Sequence, residues 1–418
     1  MNIGLRHGAS YGALGAPLAF AALPLYVLLP SHYAATLGVP LAGLGAVLLG
    51  TRALDALIDP ALGRGADRLL AGARPRTLAW AAGGALLLAL GLAALFMPPV
   101  ALQTHPASLL AWCAAALAVT CLGYSGLGVL HQAWGARLGG DAAQQARLVG
   151  WREGLALAGV LLASLLPSLA GVSALVAVCA AGLALALAAL AAAPYPPAHG
   201  GHAPRSAAGI RPWRVPAFRR LMAVFVLNGV AGAVPATLLL FFVSDRLQAP
   251  AWQPLFLGGY FATAALAMPL WVRAVPRFGL LRCWLAGMLL AVCAFVAAAR
   301  LGAGDVAAFT AICLVTGAAL GADLALPGAL LTGVIQRAGH ARGGEGAYVG
   351  WWTCANKLNL ALAAGLALPA LQWLGYTPGG RDAAGLQALS IAYAALPCLL
   401  KAGAATLLWQ QRHHLEPT

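Results

Sequence analysis

Arg52, Asp55 and Asp59 stand three and four residues apart in GTRALDALIDPALGRGADR, the stretch from Gly50 to Arg68. At the helical period this spacing keeps all three on one face. The surrounding residues are apolar enough to lie in a membrane. A charge at the bilayer centre costs at least about 2.5–3.5 kcal/mol, so two carboxylates there need compensation. Pro60 has no N–H, and the carbonyl of Ala56 therefore loses its helical partner. Two carboxylates and a freed carbonyl are hard oxygen ligands, suited to a small cation. A structural ion pair between Arg52 and one Asp accounts for one acid and leaves the other uncompensated.

Other polar side chains sit deep in apolar segments. Lys357 lies about nine residues into its segment, and a lysine at that depth needs a carboxylate or a lowered pKa. Asn356 and Asn359 flank it as polar cavity lining. Asp323 is the third intramembrane acid; it either bonds to backbone near Pro327 or lines a cavity in the second half. Lys401 is close enough to a polar helix end to snorkel. His131 reads as a satisfied interface histidine or as a proton relay. For Glu153, a helix start that favours an acid is an adequate account. Trp134 offers an aromatic face to a solute, although aromatic belts at interfaces are common.

The elements that position these residues are membrane helices. Of the 418 residues, 61% are hydrophobic and 9% charged, and the mean hydropathy is +0.83. These values exclude a soluble globular domain. Continuous apolar runs without period-2 alternation exclude a β-barrel. The eight cysteines lie in apolar segments and form no CxxC pair, which argues against disulfides and zinc. The net charge of +14 is spread over alternate loops as a topology signal, so no nucleic-acid partner is implied. No Walker loop is present, and ATP is therefore not the expected energy source.

Twelve apolar segments are expected as spans: 10–33, 38–60, 78–98, 107–131, 153–171, 173–194, 219–243, 252–272, 282–300, 306–330, 348–373 and 386–409. Each is long enough for roughly 30 Å of hydrocarbon. The run 153–194 is divided at Gly171 to Ser173, being about twice one span. Arginines crowd 61–77, 132–152, 195–220, 273–282 and 331–347. The opposite loops carry only Arg246, Arg300 and Arg381, each close to an Asp. Both termini are therefore expected in the cytoplasm. The Pro- and Arg-rich stretch 195–218 reads as a cytoplasmic linker between an N-terminal six-helix bundle, 1–194, and a C-terminal one, 219–418. Short basic loops recur after the second and eighth spans. Two six-helix halves with a central loop are the organisation of a major facilitator transporter.

The run Arg52, Asp55, Asp59-Pro60, Gly63, Asp67-Arg68 resembles the second-helix signature of the glycoside–pentoside–hexuronide:cation symporters, the melibiose permease-like family. Tyr11-Gly12, His131 to Ala136, Gly150 to Glu153, Leu320 to Pro327 and Gly350 to Lys357 extend the resemblance over nearly the whole chain. It implies that Asp55 and Asp59 hold the coupling cation, and that Lys357 lies near the cation and substrate sites. Arg152 would stand at the cytoplasmic side of the central cavity. There are departures. Ala19 and Leu130 occupy positions where sugar-binding members carry acids, or an Asn at the second, and Gln336 stands where an acidic residue is usual.

The expected protein is a monomeric cation-coupled symporter of a small solute, a sugar or glycoside, working by alternating access in the inner membrane of a bacterium. It requires no cofactor; its coupling ion is sodium or a proton, with sodium the one metal envisaged at Asp55 and Asp59. Its partners are the small-molecule substrate and membrane lipid. Arg52, Trp134, Arg152, Asp323, Asn356 and Lys357 are the expected substrate and cavity residues. Asp67 and Arg68 are expected to form a cytoplasmic ion-pair latch with a neighbouring helix end. A lysolipid carrier and a proton-driven exporter are the alternatives: the family is distantly similar to sodium-dependent lysophospholipid transporters, and the missing acids suit an amphiphile.

Overall fold

Long apolar segments form helices because only a helix satisfies its own backbone in hydrocarbon. The computed structural model describes residues 5–29, 32, 33, 37, 39–103, 105–196, 210–341, 343–376 and 379–415, and among these it is helical with no strand. The α-helices are α1 (Leu5–Gly12), α2 (Gly15–Leu23), α3 (Leu41–Leu70), α4 (Arg74–Phe96), α5 (Val100–Gln103), α6 (Pro106–Arg137) and α7 (Ala142–Ala192), followed by α8 (Pro216–Phe241), α9 (Gln253–Phe278), α10 (Leu280–Phe295), α11 (Val306–Arg337), α12 (Glu345–Trp373), α13 (Ala383–Ser390), α14 (Leu396–Gln410) and α15 (Arg412–Leu415).

Eight helices among the described residues are long and apolar enough to cross a bilayer on their own. The other expected spans, 10–33, 38–60, 153–171 and 348–373, fall on α1 and α2, on α3, on the first part of α7 and on α12. The first is divided by turns at residues 13 and 14. The second carries Arg52, Asp55 and Asp59, which lower its hydropathy. The twelve-span count is consistent with the fold. The expected break in α7 is present: Gly171 has φ 76° and ψ −179°, a conformation only glycine adopts readily. Most of the expected linker 195–218 lies outside the described residues.

Several helices run past the expected spans, and two of these boundaries bear on the site. α3 does not stop at Pro60 but continues to Leu70, with Pro60 inside it. α7 begins at Ala142, where the backbone N–H of Gln144 donates to Asp141 Oδ1 at 2.7 Å. Glu153 is therefore about three turns inside α7, and the helix-start account of it does not hold.

The chain divides into two compact units. The first comprises Met1–Gly140, Trp151–Arg211 and Ile335–Cys354; the second comprises Asp141–Gly150, Pro212–Val334 and Ala355–Thr418. In the first, α6 packs along α3 and α4. In the second, α14 packs along α8 and α10. One end of the second unit is closed by an aromatic cluster in which Phe242 and Tyr393 stack with centroids 4.1 Å apart.

Candidate functional site

In the first unit, Asp55 and Asp59 are buried on α3, at 3% and 0% exposure. Packing of α6 on α3 brings Ser125 to Asp55: its hydroxyl donates to Asp55 Oδ1 at 2.5 Å. Arg52, one turn earlier, is exposed. The three charges share a side of the helix, but only the acids share the burial. Two carboxylates one turn apart in a water-poor place are costly to bury and can be offset by a shared cation. Ser125 adds a hydroxyl oxygen to the hard donors. Sequence reasoning missed it, although it is a hydroxyl in the otherwise nonionisable run Gly123 to Leu130, apart from Tyr124.

Arg152 lies on α7, which approaches α1 and α2 closely enough that a Cβ at Gly15 would sit 2.4 Å from the Arg152 carbonyl oxygen. Its Nε and Nη2 donate to Glu153 Oε1 at 2.9 and 2.6 Å. His131 and Tyr11 clamp α6 to α1: Tyr11 Oη donates to the His131 carbonyl at 3.0 Å, and His131 Nε2 donates to the Tyr11 carbonyl at 2.7 Å. A carbonyl only accepts, so Nε2 carries the proton. The satisfied-histidine reading holds for Nε2 alone, since Nδ1 is buried with no hydrogen-bond partner among the described residues. Trp134 is fully buried; its indole N–H donates to the Pro194 carbonyl at 2.9 Å and its ring meets Tyr195 edge-on. It fastens the end of α6 to the end of α7 and presents no open face to a solute.

The expected latch is built differently from an ion pair. Asp67 is 1% exposed, and its carboxylate oxygens accept the backbone N–H groups of Gly346 and Ala347 at 2.7 and 2.9 Å. These belong to the first turn of α12, where N–H groups have no helical partner and the helix dipole favours an anion. Arg137 Nη1 donates to the Asp67 carbonyl at 3.3 Å. Arg68 is exposed. The partner of Asp67 is thus a helix start, and a lone acid in a basic loop does not distinguish the two arrangements.

Asp67 lies beyond the expected span 38–60. Burial pushes its carboxyl up to about 7, against the opposing effect of the Gly346 and Ala347 N–H groups; Glu345 adds to the rise and Arg137 opposes it. A carboxyl held above its ordinary range binds its proton more tightly in the latched arrangement. The latch is therefore fully favoured below the ordinary carboxylate range and loses that contribution as pH rises through about 7. Hydrogen exchange at the Gly346 and Ala347 amides should accelerate between acidic and alkaline conditions beyond the intrinsic pH effect. In Asp67→Asn that excess should vanish. An unchanged excess in the variant removes Asp67 as its source.

In the second unit, α9 and α11 meet through glycine: a Cβ at Gly321 would sit 2.9 Å from the Ala264 carbonyl oxygen. Lys401 Nζ lies 2.6 Å from Asp323 Oδ2 and 2.7 Å from Asn228 Oδ1. The Trp284 indole N–H and the Asn228 amide donate to Asp323 Oδ1 at 2.7 and 3.1 Å. Lys401 is paired rather than snorkelling, and Asp323 bonds to side chains rather than to backbone near Pro327; the cavity-lining alternative for Asp323 is untouched by these bonds. Asn356 is exposed and Lys357 half-buried on the part of α12 assigned to this unit.

The chain has the major facilitator fold and is a secondary transporter, as its family and its likeness to solved structures show. The fold matches solved structures over nearly the whole chain. With the E. coli fucose:proton symporter FucP it shares 15% identity and a TM-score of 0.66, covering 95% of this chain and 98% of that one. With a bacterial homologue of the iron transporter ferroportin in an outward-facing state, the values are 16%, 0.67, 96% and 100%. With the human organic anion transporter MFSD10 they are 20%, 0.61, 97% and 98%. The chain belongs to the MFS/sugar transport protein family, whose model matches residues 8–412; this is the melibiose permease-like family. No curated protein matches the sequence significantly.

Proposed function

We propose that the protein is a cation-coupled symporter of a small solute, a sugar or glycoside, with the coupling cation held at Asp55 and Asp59. The observation that carries this reading is the burial of two carboxylates one turn apart on α3, with the Ser125 hydroxyl on one of them. Such a site gains from a bound cation what it lacks in hydration. Membership of a sugar transport family supports the solute class. Cation binding neutralises α3 and raises solute affinity, which links the ion gradient to accumulation. The cytoplasmic membrane, with both termini inside, is the proposed setting.

Uptake into proteoliposomes tests the reading. Sugars, glycosides and lysolipids are first screened by ligand-induced thermal shift. A stabilising sugar or glycoside is then offered under an imposed sodium or proton gradient. Gradient-driven accumulation of that compound is the expected result. Stabilisation by lysolipids alone favours the amphiphile carrier, and efflux driven by an inward proton gradient favours the exporter.

The topology carries its own test. A reporter fused after Thr418 should be active in the cytoplasm, following the arginine asymmetry of the loops. Activity confined to the opposite side overturns the orientation.

A further inference from the structure

The second unit holds a charged cluster for which the proposed coupling site has no use. Asp323 on α11, Lys401 on α14, Asn228 on α8 and Trp284 on α10 bond one another across four helices. A buried ion pair is poor evidence of stabilisation, because apolar replacements of similar volume are often neutral or better. Nor does the cluster suit a metal ion. The ammonium of Lys401 already occupies the cation position against Asp323 Oδ2, and every group reaching Asp323 Oδ1 is an N–H donor. The cluster is not sealed, since the Lys401 and Asp323 side chains keep 11% and 16% of their surface exposed. A proton can enter such a cluster without displacing a helix.

The Asn228 amide supplies the second half of the argument. Its nitrogen donates to Asp323 Oδ1, and its oxygen accepts from Lys401. Suppose a proton binds Asp323 Oδ2. The new hydroxyl needs an acceptor, and the Asn228 oxygen is the nearby group that already points its lone pairs into the cluster. If Lys401 gives up that oxygen, acid and amide close a cyclic pair, O–H to O=C and N–H to O=C, with both hydrogen bonds satisfied. One proton is gained, none is lost by Lys401, and the cluster goes from neutral to singly positive. Lys401 then no longer has a carboxylate partner and is drawn toward water, carrying strain into α14.

We propose that Asp323 is a proton-binding site of the second unit, with Lys401 as the counter-charge that a proton displaces and Asn228 as the amide that receives the protonated acid. Among the described residues, the other titratable groups near the cluster are the Tyr260 phenol on α9, within electrostatic reach of Asp323 and of Cys313, and Cys398, which lies near Lys401 and near Cys293. The site is separate from Asp55 and Asp59 and does not rest on their role.

Infrared difference spectra of the reconstituted protein, recorded between acidic and alkaline buffer without any solute, read the proton directly. The wild type should show a carboxylic-acid C=O band that Asp323→Asn abolishes. Asp55→Asn and Asp59→Asn should leave this band in place, so failure here and failure of the coupling assignment give different patterns. Lys401→Met should change the acid-minus-alkaline difference band, because the counter-charge that a proton displaces is gone. Asn228→Leu should shift its frequency, because the cyclic partner is gone. Should Asp323→Asn not fold, the neutral pair Asp323→Asn with Lys401→Met replaces it, and the single Lys401→Met variant still reports. A band unchanged in the Asp323 variants, or unchanged by Lys401→Met, overturns the proposal.

Discussion

Asp59→Asn is expected to abolish sodium stabilisation of the purified protein and ion-driven accumulation, while leaving a folded, monodisperse transporter. Residues four apart on a helix have Cβ atoms about 5–6 Å apart, within reach of one shared ion. Both acids are buried, and Asp55 is further oriented by the Ser125 hydroxyl. Removing one of two anionic ligands halves the charge that holds a small cation, and an amide oxygen replaces it poorly. For a site that binds the folded state alone, sodium at a hundredfold excess over its Kd stabilises by about 2.7 kcal/mol. Replacing choline chloride by sodium chloride should therefore raise the wild-type melting temperature and leave that of Asp59→Asn unchanged. If the coupling ion is a proton, the same variant loses the pH dependence of uptake instead. A structural ion pair makes a different forecast, namely loss of folded protein. Full gradient-driven accumulation by folded Asp59→Asn, with wild-type ion dependence, sinks the assignment.

The parts of this molecule that could be read in advance are those set by one helix at a time. Continuous apolar runs require helices in a bilayer, so the places of most helices follow from hydropathy, though not their ends. The break at Gly171 was legible because about 40 apolar residues exceed one span and glycine tolerates positive φ. Asp55 and Asp59 were legible because two acids one turn apart in an apolar helix are costly whatever surrounds them. What could not be read is which helix lies against which. Lys401 passed for a snorkelling residue because its distance from a helix end was visible and its neighbour on α11 was not. A stricter reading had a signal available. Asn228 is the lone amide of 219–243, Asp323 the lone charge of 306–330 and Lys401 the lone charge of 386–409, all in one half of the chain. A lone amide and two lone charges in three apolar helices of one half gain most by finding each other. The Asp67 latch shows the same limit. Its burial against a helix start depends on backbone N–H groups, which no side-chain pattern reveals.

Gly63→Ala is expected to break the Asp67 latch without touching a charge. The segment 345–354 of α12 approaches α3 in the first unit so closely that the two backbones nearly meet. A Cβ at Gly63 would sit 2.0 Å from the Gly346 carbonyl oxygen, one at Gly346 2.1 Å from the Gly63 oxygen, and one at Gly350 2.5 Å from the Asp59 oxygen. These obstacles are backbone atoms and cannot swing aside as a side-chain tip can. The helices must separate, and the 2.7 and 2.9 Å bonds from Gly346 and Ala347 to Asp67 lengthen beyond hydrogen-bonding range. Overpacking of this kind costs about 1–3 kcal/mol, and each 1.4 kcal/mol is tenfold in an equilibrium. The open arrangement should thus gain a factor of roughly 5 to 150. Cys354, buried in the same segment, reports the change. In a background that keeps only this cysteine, maleimide labelling followed by mass spectrometry should accelerate several-fold in Gly63→Ala and in Gly350→Ala. Gly65→Ala serves as the control, since a Cβ there meets nothing within 4 Å. Equal labelling rates in all three variants and the parent would mean that the glycine contact does not hold this segment against α3.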